Sequence, residues 1–196
     1  MQRICERTIV AIDGGEPGDG RVPGLPAGPA SDHLPTETRR RLASAAGKLS
    51  RALRSMAALS AADGAALMLA NEANGLHAVG GSTAEGLELE YAQEFERAGP
   101  ARESVAADQP VAVNDLADGA GPAYAQLARR AAPVRAVLSV PVRLDGTVIG
   151  ALDFYRRTPG TWTDEQIALG EHLAGTAADL VVRLAAHPRA HDHGLP

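Results

Sequence analysis

Between Val137 and Tyr155 the chain reads VLSVPVRLDGTVIGALDFY, two strand-like runs on either side of Asp145-Gly146. That dipeptide favours a tight type I′ hairpin turn. In an ideal two-residue hairpin, Leu138, Val140, Val142 and Leu144 share one face with Ile149 and Ala151. The other face then holds Val137, Ser139, Pro141, Val148, Gly150, Leu152 and Phe154. A sheet with one wet side alternates apolar and polar residues. This hairpin is largely apolar on both sides, so both sides require a cover.

The rest of the pattern supplies covers. Leu42, Ala45, Ala46, Leu49, Leu53 and Met56 recur at helical spacing, and Arg39, Arg40, Arg41, Lys48, Arg51 and Arg54 make that helix basic. "GAALMLAN" and "LHAVGGS" predict two strands joined by a turn at residues 72–75. Ser82-Thr83-Ala84-Glu85 has the S-x-x-E form of a capping box. The helix it opens, to about Arg97, carries Glu85, Glu88, Glu90, Glu94 and Glu96. A short strand "PVAVND" follows, then a helix from Pro122 through Arg130, then the hairpin. Thr163-Asp164-Glu165-Gln166 is a second capping box, opening a helix with Ile167, Leu173, Ala177, Leu180, Val181 and Leu184 on one stripe. The order predicts an α+β sandwich, an antiparallel sheet of five or six strands with helices on both faces.

Residues 1–35 are expected to form a flexible leader, since 13–35 are too rich in Gly and Pro for a regular element. "TIVAID" within the leader is the one stretch there that fits a short strand. Residues 36–186 form the expected domain, and 187–196 a tail carrying His187, His191 and His193.

Composition narrows the function. A formal net charge of −5 and 3% aromatic residues argue against a nucleic-acid surface, which needs clustered cations and stacking rings. The one cysteine, Cys5, excludes an internal disulfide and a Cys-based zinc site. No run reaches the length of a membrane span, and Arg3, Glu6 and Arg7 interrupt the start of the chain where a signal peptide would be apolar. The expected location is the cytoplasm, with neither membrane nor nucleic acid as partner.

The stretch VRAVLSVPVRLDGTVIGALDFYRRTPGTWTDEQI, residues 134–167, resembles the C-terminal half of a GAF domain. The matching features are the "S-V-P" strand, the "G-x-x-I-G-A-L" strand and the "P-x-x-W-T-D-E" start of the last helix. The resemblance covers roughly residues 36–186. The middle region also resembles the GAF half of actinobacterial GAF-ANTAR regulators, with "E-R-A-G-P-A" at residues 96–101 where such proteins often carry "L-G-E-G-P-C". Ala101 stands at the family-like cysteine position, and no ANTAR helices are expected after Ala186. The resemblance implies a GAF/PAS-like sandwich in which the terminal helices cover one face and residues 84–132 lid the other. It also implies a homodimer through helices 36–56 and 163–185, and a small molecule held between lid and sheet.

The pocket candidates are Tyr91, Phe95, Asn114, Asp115, Tyr124, Ser139 and Asp153. Tyr91 and Phe95 share a helical face and are either core or pocket lining. Asn114-Asp115 ends a strand and suits a turn or cap as well as a ligand. Ser139, among apolar neighbours, needs a partner. Asp153 falls on the opposite face in an ideal register, which a bulge would change.

His77 is the candidate axial ligand for haem, and equally a surface or hydrogen-bonded histidine. The tail histidines suit adventitious metal binding, so no metal site is expected and no cofactor is identified. The signature of cyclic-nucleotide-binding GAF domains is absent, and the thiol-dependent GAF enzymes that reduce free methionine sulfoxide need cysteines this domain lacks. No nucleophile–base pair or phosphate loop is visible, so no catalytic residue is assigned. The expectation is a non-catalytic sensor domain that binds an unknown small molecule or relays a signal through a homodimer, with a signalling protein as a further partner. The alternative is a ligand-free dimerisation or interaction module.

Overall fold

The structure, a computed structural model, describes residues 36–71, 75–119 and 121–186. The leader with Cys5 and "TIVAID", the tail histidines and residues 72–74 of the expected turn lie outside the described residues. The chain divides into two compact units, Met1–Lys48 and Leu49–Pro196. The division falls inside the first helix, α1 (Thr36–Leu59). In the first unit, Arg40 and Arg41 donate to Glu37 at 3.1 and 2.8 Å on an exposed face.

In the second unit the elements after α1 are β1 (Gly64–Asn71), β2 (Gly75–Gly81), α2 (Ala84–Glu96), α3 (Pro100–Ala107), β3 (Val111–Val113), a 3-10 turn (Leu116–Asp118), α4 (Pro122–Arg130), β4 (Ala136–Leu144), β5 (Thr147–Arg156) and α5 (Asp164–Ala185). The five described strands form one antiparallel sheet in the order β2-β1-β5-β4-β3. This is the expected α+β architecture. The separate helix α3 and the 3-10 turn are absent from the sequence pattern, because eight and three residues are too short to show a period.

The hairpin turns as Asp145-Gly146 predicts, with positive φ at both residues (51° and 78°). Its faces differ from the ideal register. A bulge between Val142 and Arg143 leaves Arg143 opposite Val148 but sets Val142 opposite Gly150, Val140 opposite Leu152 and Leu138 opposite Phe154. The one extra residue on β5 exchanges the faces of everything beyond it. Leu152 and Phe154 therefore join Leu138, Val140 and Val142, while Ala151 and Asp153 cross to the side of Val137, Ser139 and Pro141.

The first face packs under α5 and the second unit's part of α1. Leu49, Leu53, Met56 and Ala57 join Leu173, Ala174, Ala177 and Ala178 over Leu138, Val140, Val142, Leu152 and Phe154, all buried. Each large side chain removed from water there contributes about 1.5–3 kcal/mol. α5 begins on the predicted capping box: Thr163 Oγ1 accepts from the Gln166 amide, and the Gln166 side chain accepts from the Thr163 amide. The other predicted box is shifted by one residue. Thr83, not Ser82, caps α2 by accepting from the Gly86 amide. Ser82 is buried and accepts from the Ala65 amide of β1 at 2.9 Å, so its hydroxyl closes the sheet rather than the helix.

The second face lies under α2, α3 and α4, as a lid over residues 84–132 requires. Its apolar packing is in two parts. Leu89, Ala92, Leu116, Leu127, Val134, Val137 and Tyr155 form one cluster; Met68, Leu76, Ala101 and Ala151 form the other. Between them in the register lies the rung Ser139–Asp153, flanked by Val137–Tyr155 and Pro141–Ala151.

Candidate functional site

The polar rung is met from above by α2. Glu90 and Gln93 are three residues apart and share a helical face, and both are fully buried. The helix is held in place at its start by Thr83, whose hydroxyl also lies 2.5 Å from the buried Tyr155 hydroxyl of β5. It ends at Arg97 in the left-handed conformation, and the chain turns through Gly99 (φ 128°) into Pro100 of α3. A Cβ at Gly99 would stand 2.6 Å from Gln93 Oε1, so only glycine lets this turn close on the cluster.

Gln93 is the hub. Its Oε1 accepts from the Ala101 amide at 2.9 Å, which fixes the side chain's orientation. Its Nε2 then donates to Glu90 Oε2 at 2.9 Å and to Asp153 Oδ2 at 2.6 Å. Glu90 Oε1, Asp153 Oδ1 and Ser139 Oγ are buried without a well-formed hydrogen bond. Ser139 nevertheless stands directly across from Asp153 and favours its ionised form.

Burial dominates the electrostatics. Desolvation, then the neighbouring Asp153 carboxyl, holds Glu90 well above the usual carboxylate range. Desolvation likewise lifts Asp153 to about 6, against the lowering influence of Ser139, Gln93 and Glu90. Two carboxylates brought together away from water cannot both ionise cheaply. Among the described residues no arginine, lysine or histidine pairs with either.

Of the predicted site residues, the fold brings Ser139 and Asp153 together, and the bulge is the reason. Tyr124, on α4, is half-buried at the edge of this region. Its hydroxyl donates to Glu103 Oε1 at 2.6 Å, and burial, Glu103 and the charge of Asp153 push it upward. Tyr91 and Phe95 do share a face of α2, but it is the outer one. With Glu88, Ala92 and Arg130 they line an open cleft of about 360 Å3. Phe95 is 69% exposed there, with the Arg130 guanidinium 4.0 Å above its ring.

Asn114 and Asp115 make contacts within the fold. The Asn114 carbonyl accepts from the Gly160 amide, while Asp115 caps the 3-10 turn and pairs with Arg135. That arginine, followed by the Ala117 amide, draws the Asp115 carboxyl below its ordinary value. His77 sits on the edge strand β2 with its Nδ1 2.8 Å from Glu94 Oε1; the other Glu94 oxygen accepts from the Ala78 amide. The described residues contain no group of three or more His, Cys, Asp or Glu side chains placed to hold a metal. No helix among them is long and apolar enough to cross a membrane.

Glu90 and Gln93 are the site residues that pattern alone misses. In the sequence Glu90 is one of five acids on a helix that looks solvated, and Gln93 carries no signal. The available hint is their spacing of three beneath Leu89 and Ala92, which also face inward.

Comparison with known proteins agrees with this architecture. Residues 44–182 match the family model described as the GAF domain. Among solved structures, the GAF domain region of a Geobacter sulfurreducens PCA protein is similar, with a TM-score of 0.54 and 19% identity over 76% of this chain and 99% of that one. A domain assigned to a two-component sensor histidine kinase of Sinorhizobium meliloti 1021 aligns with a TM-score of 0.52 and 16% identity, covering 76% and 92%. The type II free methionine-R-sulfoxide reductase of Thermoplasma acidophilum gives 0.52 and 17%, covering 74% and 96%. At these identities the likeness concerns the fold. No curated protein shows significant sequence similarity to the chain.

Proposed function

The chain belongs to the GAF domain family, a family of sensor and signalling domains, and from that membership we propose that it is a non-catalytic sensor of a small molecule. The ligand binds between the sheet and the α2–α4 lid, on the rung formed by Ser139 and Asp153 and the side chains above it. The observation that supports this is a buried polar cluster at one place in the lidded face, two carboxyls, an amide and a hydroxyl with no cation beside them among the described residues. Burying two carboxyls without a cation is costly, and a ligand that relieves that cost stabilises the lid. Binding then shifts the population of lid conformations and, through the sheet, of the terminal helices.

The reading is non-enzymatic although one structural relative is a reductase, because Cys5 is the chain's one cysteine and precedes the family match. In the same reading the likeness to GAF-ANTAR regulators extends to sensing alone, the RNA-binding output is not transferred, and the domain works in the cytoplasm. Amide exchange across α2, α3 and α4 tests the proposal. Added metabolites should raise protection in 84–132; protection that stays flat across a broad library counts against it.

A second reading is favoured by α5. Val182 is 43% exposed, and Leu180, Val181 and Leu184 beside it are only partly buried. A second copy of the chain covering this end of the helix would make a homodimer, with or without ligand. Sedimentation at micromolar concentration decides it: a monomer removes this reading and leaves the sensor reading in place.

A further inference from the structure

We infer that Glu90 on α2 and Asp153 on β5 form a proton-operated latch, which holds the lid to the sheet while the pair carries a proton and loosens it as the carboxyls ionise. The inference goes beyond the sensor reading above, since it requires no small molecule.

Each layer contributes one carboxyl. Glu90 is carried by the lid and Asp153 by the central strand of the sheet, and both side chains are fully buried. The two groups lie in hydrogen-bond reach of one another, and Ser139 is in reach of Asp153. Gln93 Nε2 donates to both carboxyls, at 2.9 and 2.6 Å, and its Oε1 accepts from the Ala101 amide in the first turn of α3. The same contacts therefore tie α2, α3 and β5 together. With both carboxyls ionised, the two N–H donors of Gln93 and the one hydroxyl hydrogen of Ser139 face four carboxylate oxygens. A proton on one carboxyl supplies a further donor and removes a charge. It also makes a hydrogen bond that runs from lid to sheet.

Opening the lid returns both groups to water, where carboxyls ionise in their ordinary range. In the closed state burial lifts Asp153 to about 6 and Glu90 well above its usual value. The closed lid thus holds more protons than the open one from the ordinary carboxylate range upward. Closure is fullest at low pH, and is lost as pH rises through about 6 and on through the higher value of Glu90. The groups facing the pair are Gln93 on α2, Ala66 on β1, Ser139 on β4 and, at the edge, Tyr124 on α4, whose hydroxyl donates to Glu103 on α3. The ionisable ones, Tyr124 and Glu103, are bonded to each other at 2.6 Å. Further along α2, Glu96 pairs with Arg130 of α4 and Glu94 with His77 of β2. The second of these also ties α2 to the sheet, and is an ion pair only while His77 is protonated, so the test must separate it from the carboxyls.

Amide exchange of the full chain without added ligand, measured across pH and corrected for the intrinsic exchange rate, tests the latch. Protection in α2 and α3 should lie below that in α5 at every pH, because the lid opens before the domain unfolds. Between about pH 5 and about pH 7 it should fall by at least about tenfold. Glu90→Gln and Asp153→Asn should each reduce that fall, and the double variant should abolish it, while His77→Gln should leave it in place. Carbon-13 titration of the side-chain carboxyls in the unsubstituted chain gives a second readout that no variant can spoil by misfolding. It should find both groups ionising above the ordinary range. Equal protection of α2 and α5 at every pH would mean that the pair acts through global unfolding alone, and overturns the latch. A fall abolished by His77→Gln and kept by the double variant overturns it too, as do carboxyls that both ionise below about pH 5.

Discussion

The two faces of the sheet are closed in different ways. Under α5 and the second unit's part of α1, the apolar cover is one continuous cluster that includes Leu138, Val140, Val142, Leu152 and Phe154, and no carboxyl is buried in it. Under α2, α3 and α4 the apolar packing splits in two, and the gap holds two carboxyls, an amide and a hydroxyl, all buried and with no cation beside them among the described residues. The first arrangement is what stability alone selects. The second gives up stability at one rung, and sites that do so in otherwise consistent folds are the places to expect function. One sheet thus carries a structural face and a responsive face, and the difference lies in one rung of side chains.

The largest test of that contrast is a truncation on each face. Phe154→Ala should cost about 3–5 kcal/mol, because a fully buried ring leaves a cavity. Asp153→Asn, one residue away on the opposite face, should instead stabilise the domain near pH 7.5, by roughly 2–3 kcal/mol. Urea denaturation of the two variants compares them directly; a destabilised Asp153→Asn would mean that the carboxylate is needed as such by the fold.

The pH dependence sharpens the same point. Asp153 and Glu90 hold their protons more tightly folded than unfolded, so the folded chain binds more protons above the ordinary carboxylate range. Stability should be full below about pH 4 as far as these groups are concerned. It should fall as pH rises through about 6, the value to which Asp153 is lifted. Denaturant midpoints measured across that window should show the decline, and Asp153→Asn should flatten it. A stability that rises steadily over the window would contradict the assignment.

The helix caps give a smaller difference. Thr163→Ala removes one half of a capping box on the structural face and should cost about 1 kcal/mol. Thr83→Ala removes the α2 cap and also the partner of the buried Tyr155 hydroxyl, so it should cost more, about 2 kcal/mol. Thermal unfolding ranks the pair, and equal losses would mean that Tyr155 finds another partner. Smallest of all, Arg130→Ala at the exposed outer cleft should change stability by no more than about 0.5–1 kcal/mol, despite its pair with Glu96 and its position over Phe95.

The sequence by itself determined the longer elements and their layering, though not α3 or the 3-10 turn. Period-two and helical spacings are local, Asp145-Gly146 is a local turn, and the Thr163 cap is a contact three residues long, so each is legible without the rest of the chain. The hairpin's apolar character on both sides was enough to require two covers, and residues 84–132 and the terminal helices provide them. Only the tertiary structure decided which residues meet under the lid. The bulge at Val142/Arg143 depends on how β5 pairs with β4 and β1 together, and one inserted residue moved Asp153 from one face to the other. Glu90 and Gln93 became interior only because α2 docks with that side down, which left Tyr91 and Phe95 outside. A helix's own pattern does not say which of two mixed faces turns inward when acids and apolar residues lie on both. The packing of α2 against β1 and β2 and the Gly99 turn settles it, and with it the chemistry of the site.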